Sequence, residues 1–254
     1  MPTVSVVIPV LDDAGMLARC LAALAVQLRP ADEIVVVDNG STDDTAAVAR
    51  AAGARVIEQP VRGIWPAASA GYDAATGDII ARLDADSRPP EDWLLHIEAE
   101  LIDAPEVGVL TGRGVFYDGN PLVAGLGQLL YIGGYFWSME LWLGNAPIFG
   151  SNFAMRREVW QDVRSRVHRD RSDIHDDLDL SFHLDLATVV RFDERLTVGI
   201  SARPFATWGG LGRRLRWAYT TLSMHLPDQS PWRRRTTRRR LRREGEQEAP
   251  GAVA

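Results

Sequence analysis

Two patterns of apolar positions alternate along this chain. Val4-Ser5-Val6-Val7-Ile8-Pro9-Val10 and Glu33-Ile34-Val35-Val36-Val37 are β-branched and almost wholly apolar. Runs without polar alternation mark strands buried on both faces, as in a parallel sheet. Between them, Leu17, Leu21, Leu24 and Leu28 recur at helical spacing, and Arg29-Pro30 stops the run. Arg55-Val56-Ile57-Glu58 reads as a third, short strand, and a helix is expected over roughly 66–75. Gly77-Asp78 then opens a central strand, Ile79-Ile80-Ala81-Arg82-Leu83. Strand and helix alternating at short intervals predict βαβ units, an α/β fold class and a mostly parallel central sheet.

In such sheets ligands bind at the carboxyl ends of the strands. Asp12, Asp38, Asp84 and Asp86 all fall there. Asp84 and Asp86 are spaced i, i+2, which puts both on one face of an extended segment. Two convergent carboxylates repel and raise each other's pKa unless a cation lies between them. A hard divalent ion, Mg²⁺ or Mn²⁺, suits oxygen ligands and usually shares its shell with substrate phosphates. The plain alternative is a solvated turn before Pro89-Pro90.

Composition narrows the class. A chain of 254 residues suits one large α/β domain plus a tail. Its single cysteine, Cys20, forms no internal disulfide, fits a reducing compartment and reads as buried filler of a helix. No basic segment precedes the first apolar run, so that run is not read as a signal peptide, and a cytoplasmic location is expected. The net charge is −6, but residues 233–254 carry eight Arg against three Glu. The acidic body argues against nucleic acid as partner. The basic tail, counted with the helix before it as residues 208–254, suits either a helical or disordered, solvated end or peripheral contact with an anionic surface, such as the inner face of the plasma membrane.

Val4 to Asp13, Glu33 to Thr45 and Gly77 to Pro90 together resemble the nucleotide-sugar half of family 2 glycosyltransferases, which have the Rossmann-like GT-A fold. That family shows an apolar strand with Ile-Pro, a V-V-D-[DN]-G-S-x-D turn, and a D-x-D after an apolar strand. Gly150-Ser151-Asn152-Phe153-Ala154-Met155-Arg156-Arg157 resembles its glycine loop after the acceptor region. His175-Asp176-Asp177-Leu178-Asp179-Leu180 resembles its [ED]-D motif, which supplies the catalytic base. The five motifs stand in order within residues 2–207.

The resemblance implies a single GT-A domain over residues 1–207, with a nucleotide-sugar half to about 118 and an acceptor half beyond it. It implies an inverting, metal-dependent transfer of a sugar from a nucleoside-diphosphate sugar to a hydroxyl acceptor, carbohydrate or lipid-linked. Asp86 would hold the metal, Asp84 would support it or the ribose, and Ala85 lies between them. Asp38 would read a uracil or thymine imide, and Pro9, Val10 and Asp12 would line base and ribose. Gly63 opens a small-residue helix beside the nucleotide; tight helix–sheet packing is the other role for Ala67-Ala68-Ser69-Ala70-Gly71. Asp177 would be the general base, with Asp176 positioning it or serving as base itself. The charge of an acid-rich first helical turn explains some of these Asp residues equally well.

Two departures stand out. Leu11-Asp12 replaces an aromatic-Asn pair, and Leu196-Thr197-Val198-Gly199-Ile200-Ser201-Ala202-Arg203 lacks the metal-binding His of many related enzymes. Arg203 would then act on the phosphates. A catalytically silent sugar-nucleotide-binding or scaffold protein would fit these departures. A nucleotidyltransferase would want a basic Gly-rich loop where Leu11-Asp12-Asp13-Ala14-Gly15 is acidic.

Pro121 to Met139 is 19 uncharged residues, near the length of a membrane span. A span there would put the D-x-D and Asp177 on opposite sides of a membrane. The segment is therefore read as a helix lining the acceptor site, with core, membrane surface and dimer interface as its further alternatives. Residues 211–222 are expected to form an amphipathic helix with Leu211, Leu215, Ala218, Tyr219 and Leu222 on one face. Gly209-Gly210-Leu211-Gly212 reads as a linker.

Overall fold

The structure is a computed structural model that describes residues 1–118, 134–203, 208–225 and 230–248. Residues 121–133 of the uncharged stretch lie outside the described residues, as do the side chains of Leu211, Arg242 and Arg243.

Seven strands form one sheet in the order β3-β2-β1-β4-β6-β5-β7. The strands are β1 (Val4–Val10), β2 (Glu33–Asp38), β3 (Arg55–Glu58), β4 (Ile79–Leu83), β5 (Val107–Phe116), β6 (Asn152–Arg156) and β7 (Val189–Ile200). β1 runs parallel to β2 and β4, and β2 to β3. β6 is antiparallel to both β4 and β5, while β5 and β7 are parallel. Nine described helices connect or flank them: α1 (Ala14–Ala25), α2 (Thr45–Ala51), α3 (Ile64–Ala74), α4 (Trp93–Asp103), α5 (Gly134–Leu143), α6 (Arg157–Val163), α7 (Asp176–His183), α8 (Trp208–His225) and α9 (Pro231–Glu248).

All seven residues of β1 are buried. Its side chains alternate between two cores, as a period of two demands. Val4, Val6, Ile8 and Val10 join Leu17, Leu21 and Ile97 from α1 and α4. Val7 joins Trp65 and Tyr72 of α3 and Trp160 of α6. Each Val or Leu so buried contributes about 1.5–3 kcal/mol. The small residues of α3 serve this packing. A Cβ on Gly71 would stand 2.9 Å from Val37 Cγ2, and closer still to Val7 Cγ1, so only glycine lets α3 lie this near the sheet.

Three expectations change at the C-terminal side. The Gly209-Gly210 segment is the first turn of α8, not a linker, because α8 is held from outside by Thr221 and His225, both buried against the body. On α8, Leu215, at the rim of a cavity, and Tyr219 stay 59% and 75% exposed, so the expected apolar face is split. The Arg-rich tail takes the helical of its two expected forms, across residues 231–248, but it is not simply solvated. Arg234 is buried and donates to the carbonyl oxygens of Leu143, Phe182 and Ser181, and Arg238 to that of Thr188. Those long-range bonds to otherwise open helix-end and loop carbonyls outweigh the solvation that composition favours. Among the described residues no helix is long and apolar enough to cross a membrane.

Candidate active site

β4 delivers its end to the middle of the sheet, where a cavity of about 570 Å³ opens. Pro9 and Val10 from β1, Asp84, Ala85 and Asp86 after β4, Gly150 and Ser151 before β6, and Asp176 and Asp177 at the start of α7 all line it. Its far wall comes from α8, through Arg214, Leu215, Trp217, Ala218 and Leu222, with Met139 of α5.

Asp84 and Asp86 do not sit on a continued strand. β4 stops at Leu83 and a turn follows, closed by Ser87 N–H donating to the Asp84 carbonyl oxygen at 3.0 Å. The turn still presents both carboxylates to the cavity. Burial raises the Asp86 carboxyl to about 6, the Asp84 charge adds to the rise, and Arg203 opposes it. Arg203 Nη2 lies 3.2 Å from Asp86 Oδ2 and 2.6 Å from Asp13 Oδ2. Two oxygen-donor carboxylates facing one cavity, one of them protonated more readily than usual because it is buried beside the other, fit a hard divalent ion.

Arg82 organises the other acids. It is 2% exposed, inside β4, where the other four residues of the strand are apolar. Its Nη1 pairs with Asp176 Oδ2 and its Nη2 donates to Asp84 Oδ1 at 3.0 Å. Asp84 Oδ2 accepts from Ser151 Oγ at 2.5 Å. Asp176 is therefore committed to a buried ion pair. Among the described residues Asp177 has no such pair; its Oδ2 accepts from the Gly150 N–H at 2.9 Å and its Oδ1 from the Leu178 N–H at 2.8 Å. Burial, then the charge of Asp176, pushes its carboxyl above the ordinary range. One arginine thus puts the two neighbouring acids in different electrostatic environments.

Four expected site residues stand off the cavity lining. Asp12 has φ +49°, and its Oδ1 accepts from Thr42 N at 2.6 Å and Thr42 Oγ1 at 3.1 Å, so Leu11 and Asp13 face the cavity instead. Asp38 ends β2 beside Val10 and accepts from Ser41 N at 2.8 Å, which holds the following turn. Gly63, at φ +143°, precedes α3 and passes the lining to Ile64. Asn152 is fully buried; it accepts from Trp93 Nε1 and donates to the Leu196 carbonyl, strapping β6 to α4 and β7. The sequence reading missed the role of Arg82 and the wall formed by α8. A lone arginine inside an apolar strand was the available signal, since a buried charge needs a partner. His175 lines the cavity, its Nε2 3.0 Å from the Arg214 carbonyl oxygen.

The family model described as glycosyl transferase family 2 matches residues 5–164. The chain belongs to that family. Among relatives within it or near it, glycosyltransferase AglE of Haloferax volcanii is 37% identical over 102 residues, which are 37% of this chain and 34% of AglE. Undecaprenyl-phosphate 4-deoxy-4-formamido-L-arabinose transferase of Sodalis glossinidius is 36% identical over 118 residues, 42% of this chain and 36% of its own. The matched stretches span less than half the length of these curated relatives. Glucosyl-3-phosphoglycerate synthase of Mycobacterium tuberculosis, solved with Mn²⁺, uridine diphosphate and phosphoglyceric acid, aligns over 88% of this chain and 78% of its own with a TM-score of 0.63 at 21% identity. That likeness shows the shared GT-A fold. In this family 2 chain the D-x-D and the acid pair of α7 line one cavity.

Proposed function

We propose that this family 2 chain moves a sugar from a nucleoside-diphosphate sugar to a hydroxyl acceptor, with inversion at the anomeric carbon. The observation that carries the reading is the convergence of Asp84, Asp86 and Asp177 on one cavity while Arg82 neutralises Asp176. Asp177 takes the proton of the acceptor hydroxyl. That oxygen forms the new bond to the anomeric carbon as the bond to the diphosphate oxygen breaks, and the diphosphate leaves with the electron pair. The raised pKa of Asp177 matches it to receiving a proton. A divalent ion bound by Asp86 and Asp84, Mn²⁺ or Mg²⁺ as in the solved synthase complexes, would neutralise the charge gathering on the departing diphosphate. Ser151 and Arg82 fix the Asp84 carboxylate from two sides. Pro9 and Val10 offer the base an apolar shelf, and Asp38 stands next to them at the end of β2.

The acceptor wall is mostly apolar, with Met139, Leu178, Leu215, Trp217 and Leu222 around one Arg214. That mixture supports an acceptor with an apolar body and an anionic group, such as a lipid-linked one. The exposed Leu215 and Tyr219 on α8 support peripheral contact with a membrane surface.

A second reading rests on Arg203, which already supplies Asp86 with positive charge. In it the chain binds the nucleotide without a metal and is catalytically silent. Sugar-nucleotide turnover by the parent protein, absent in the silent reading, separates the two, and Asp177→Asn then tests the base. The active reading expects unchanged affinity for UDP or dTDP and a sugar-nucleotide turnover about 10²–10⁴-fold lower. Turnover equal to that of the parent protein would refute Asp177 as base; loss confined to Asp176→Asn would move the role one residue back.

A further inference from the structure

Away from the D-x-D, three imidazoles from three separate segments meet around one carboxylate oxygen. His168 lies in the loop before α7, Asp179 and His183 on α7, and His225 at the end of α8. Asp179 Oδ1 is 2.8 Å from His168 Nδ1, 2.9 Å from His225 Nε2 and 3.5 Å from His183 Nδ1. All four atoms lie within 4.8 Å of one another. The rings stand edge to face at 4.9–5.6 Å between centroids, so their nitrogens share a centre instead of stacking past it. The Asp179 side chain is fully buried, and those of His225 and His183 are 4% and 13% exposed.

We propose that His168, Asp179, His183 and His225 form a tetrahedral Zn²⁺ site that clamps the loop, α7 and α8 together. Donor chemistry is the first argument. Three imidazole nitrogens and one carboxylate oxygen suit zinc, whose bonds of about 2.0–2.2 Å place donors some 3.3–3.5 Å apart in a tetrahedron. The three separations from Oδ1, 2.8–3.5 Å, lie within about half an ångström of that value. Support from outside the ligands is the second. Trp65 Nε1 and the His168 N–H both donate to Asp179 Oδ2, at 2.8 and 2.9 Å, and turn Oδ1 toward the imidazoles. Phe182 stacks on the His225 ring at 4.5 Å and 10°. Such bonds and contacts orient ligands before a metal arrives. His183 must exchange its 2.8 Å bond to the Asp179 carbonyl oxygen for the metal.

The second His-acid cluster serves as a contrast. His96, Glu100 and Asp193 also converge, but Arg195 bonds both acids and Arg191 bonds Glu100. Arginine already supplies there what a metal would. The position of the proposed site gives it a consequence. α7 begins with Asp176 and Asp177, and α8 forms the acceptor wall, so zinc would fix the base relative to the acceptor.

The test uses the untagged full chain, stripped with a chelator and titrated with Co²⁺, whose tetrahedral complexes absorb strongly in the visible. One equivalent is expected to bind with that band, to be displaced by one equivalent of Zn²⁺, and to raise the unfolding temperature. The band should persist in Asp86→Ala and vanish in His225→Ala. His168→Asn, at a half-exposed ring, gives the same reading if His225→Ala fails to fold. A weak octahedral spectrum in the parent protein, or a band that survives His168→Asn and His225→Ala, or one lost in Asp86→Ala, would overturn the site. The Asp86→Ala arm also keeps this outcome separate from failure of the proposed transferase reading.

Discussion

Arg82→Met tests the electrostatic hub of the site. Arg82 and Asp176 have side chains 3% and 8% exposed, and they form a direct ion pair inside the sheet. Methionine fills much of the arginine volume but leaves Asp176 buried and unpaired. Breaking a buried pair from one side costs about 3–5 kcal/mol. Asp84 loses its 3.0 Å partner in the same change. Against a total stability of about 5–15 kcal/mol, that is a large fraction. Replacing both partners, as Arg82→Met with Asp176→Leu, removes the orphaned charge; such apolar replacements are often neutral or stabilising by about 1–4 kcal/mol. Urea unfolding of the four proteins in the cycle measures this directly. The single variant should lose about 3–5 kcal/mol and the double variant should recover most of it, giving strong non-additivity. The double variant should still bind metal and nucleotide poorly, because Asp84 no longer has Arg82 to hold it. A cost below about 1 kcal/mol for Arg82→Met, or additive single effects, would refute the hub.

Two further changes probe the frame. Gly71→Ala gains up to about 1 kcal/mol of helix propensity but forces a Cβ against Val7 and Val37, so a net loss of about 1–2 kcal/mol is expected in chemical denaturation; a more stable variant would contradict the close approach of α3. Burial alone would raise the Glu33 carboxyl, but hydrogen bonds from Ser5, Thr76 and Arg55 hold it below its usual value. A depressed carboxyl stabilises the fold above the unfolded pKa and loses that contribution as pH falls through the folded one. Stability should therefore fall less steeply below about pH 4.3 in Glu33→Gln than in the parent protein; identical acid limbs would count against the assignment.

The parallel half of the fold was legible because its strands are continuous apolar runs ending in acids. β1, β2 and β4 follow the expected segments, and the D-x-D lies at the end of β4. What hid was set by contacts between distant segments. Arg234 reads as one more residue of a solvated basic run, yet it is buried by carbonyls at Leu143, Phe182 and Ser181. Asp12 sits at a strand end but turns away, because its backbone adopts φ +49° and Thr42 takes its carboxylate. His168, Asp179 and His225 carry no spacing motif, since they come together only when α8 packs on α7. Asp176 and Asp177 were visible as a pair, with Asp177 read as the base; the pairing of Asp176 with Arg82, 94 positions before it, was not visible.

Calorimetric titration of UDP and dTDP, with and without Mn²⁺, into the parent protein and Asp86→Ala tests the central claim most directly. Metal-dependent binding of a pyrimidine nucleoside diphosphate that disappears in Asp86→Ala is the predicted result, and the preferred nucleotide names the base of the donor. Binding that ignores Mn²⁺ and survives Asp86→Ala, or no binding of either nucleotide by the folded protein, would contradict it.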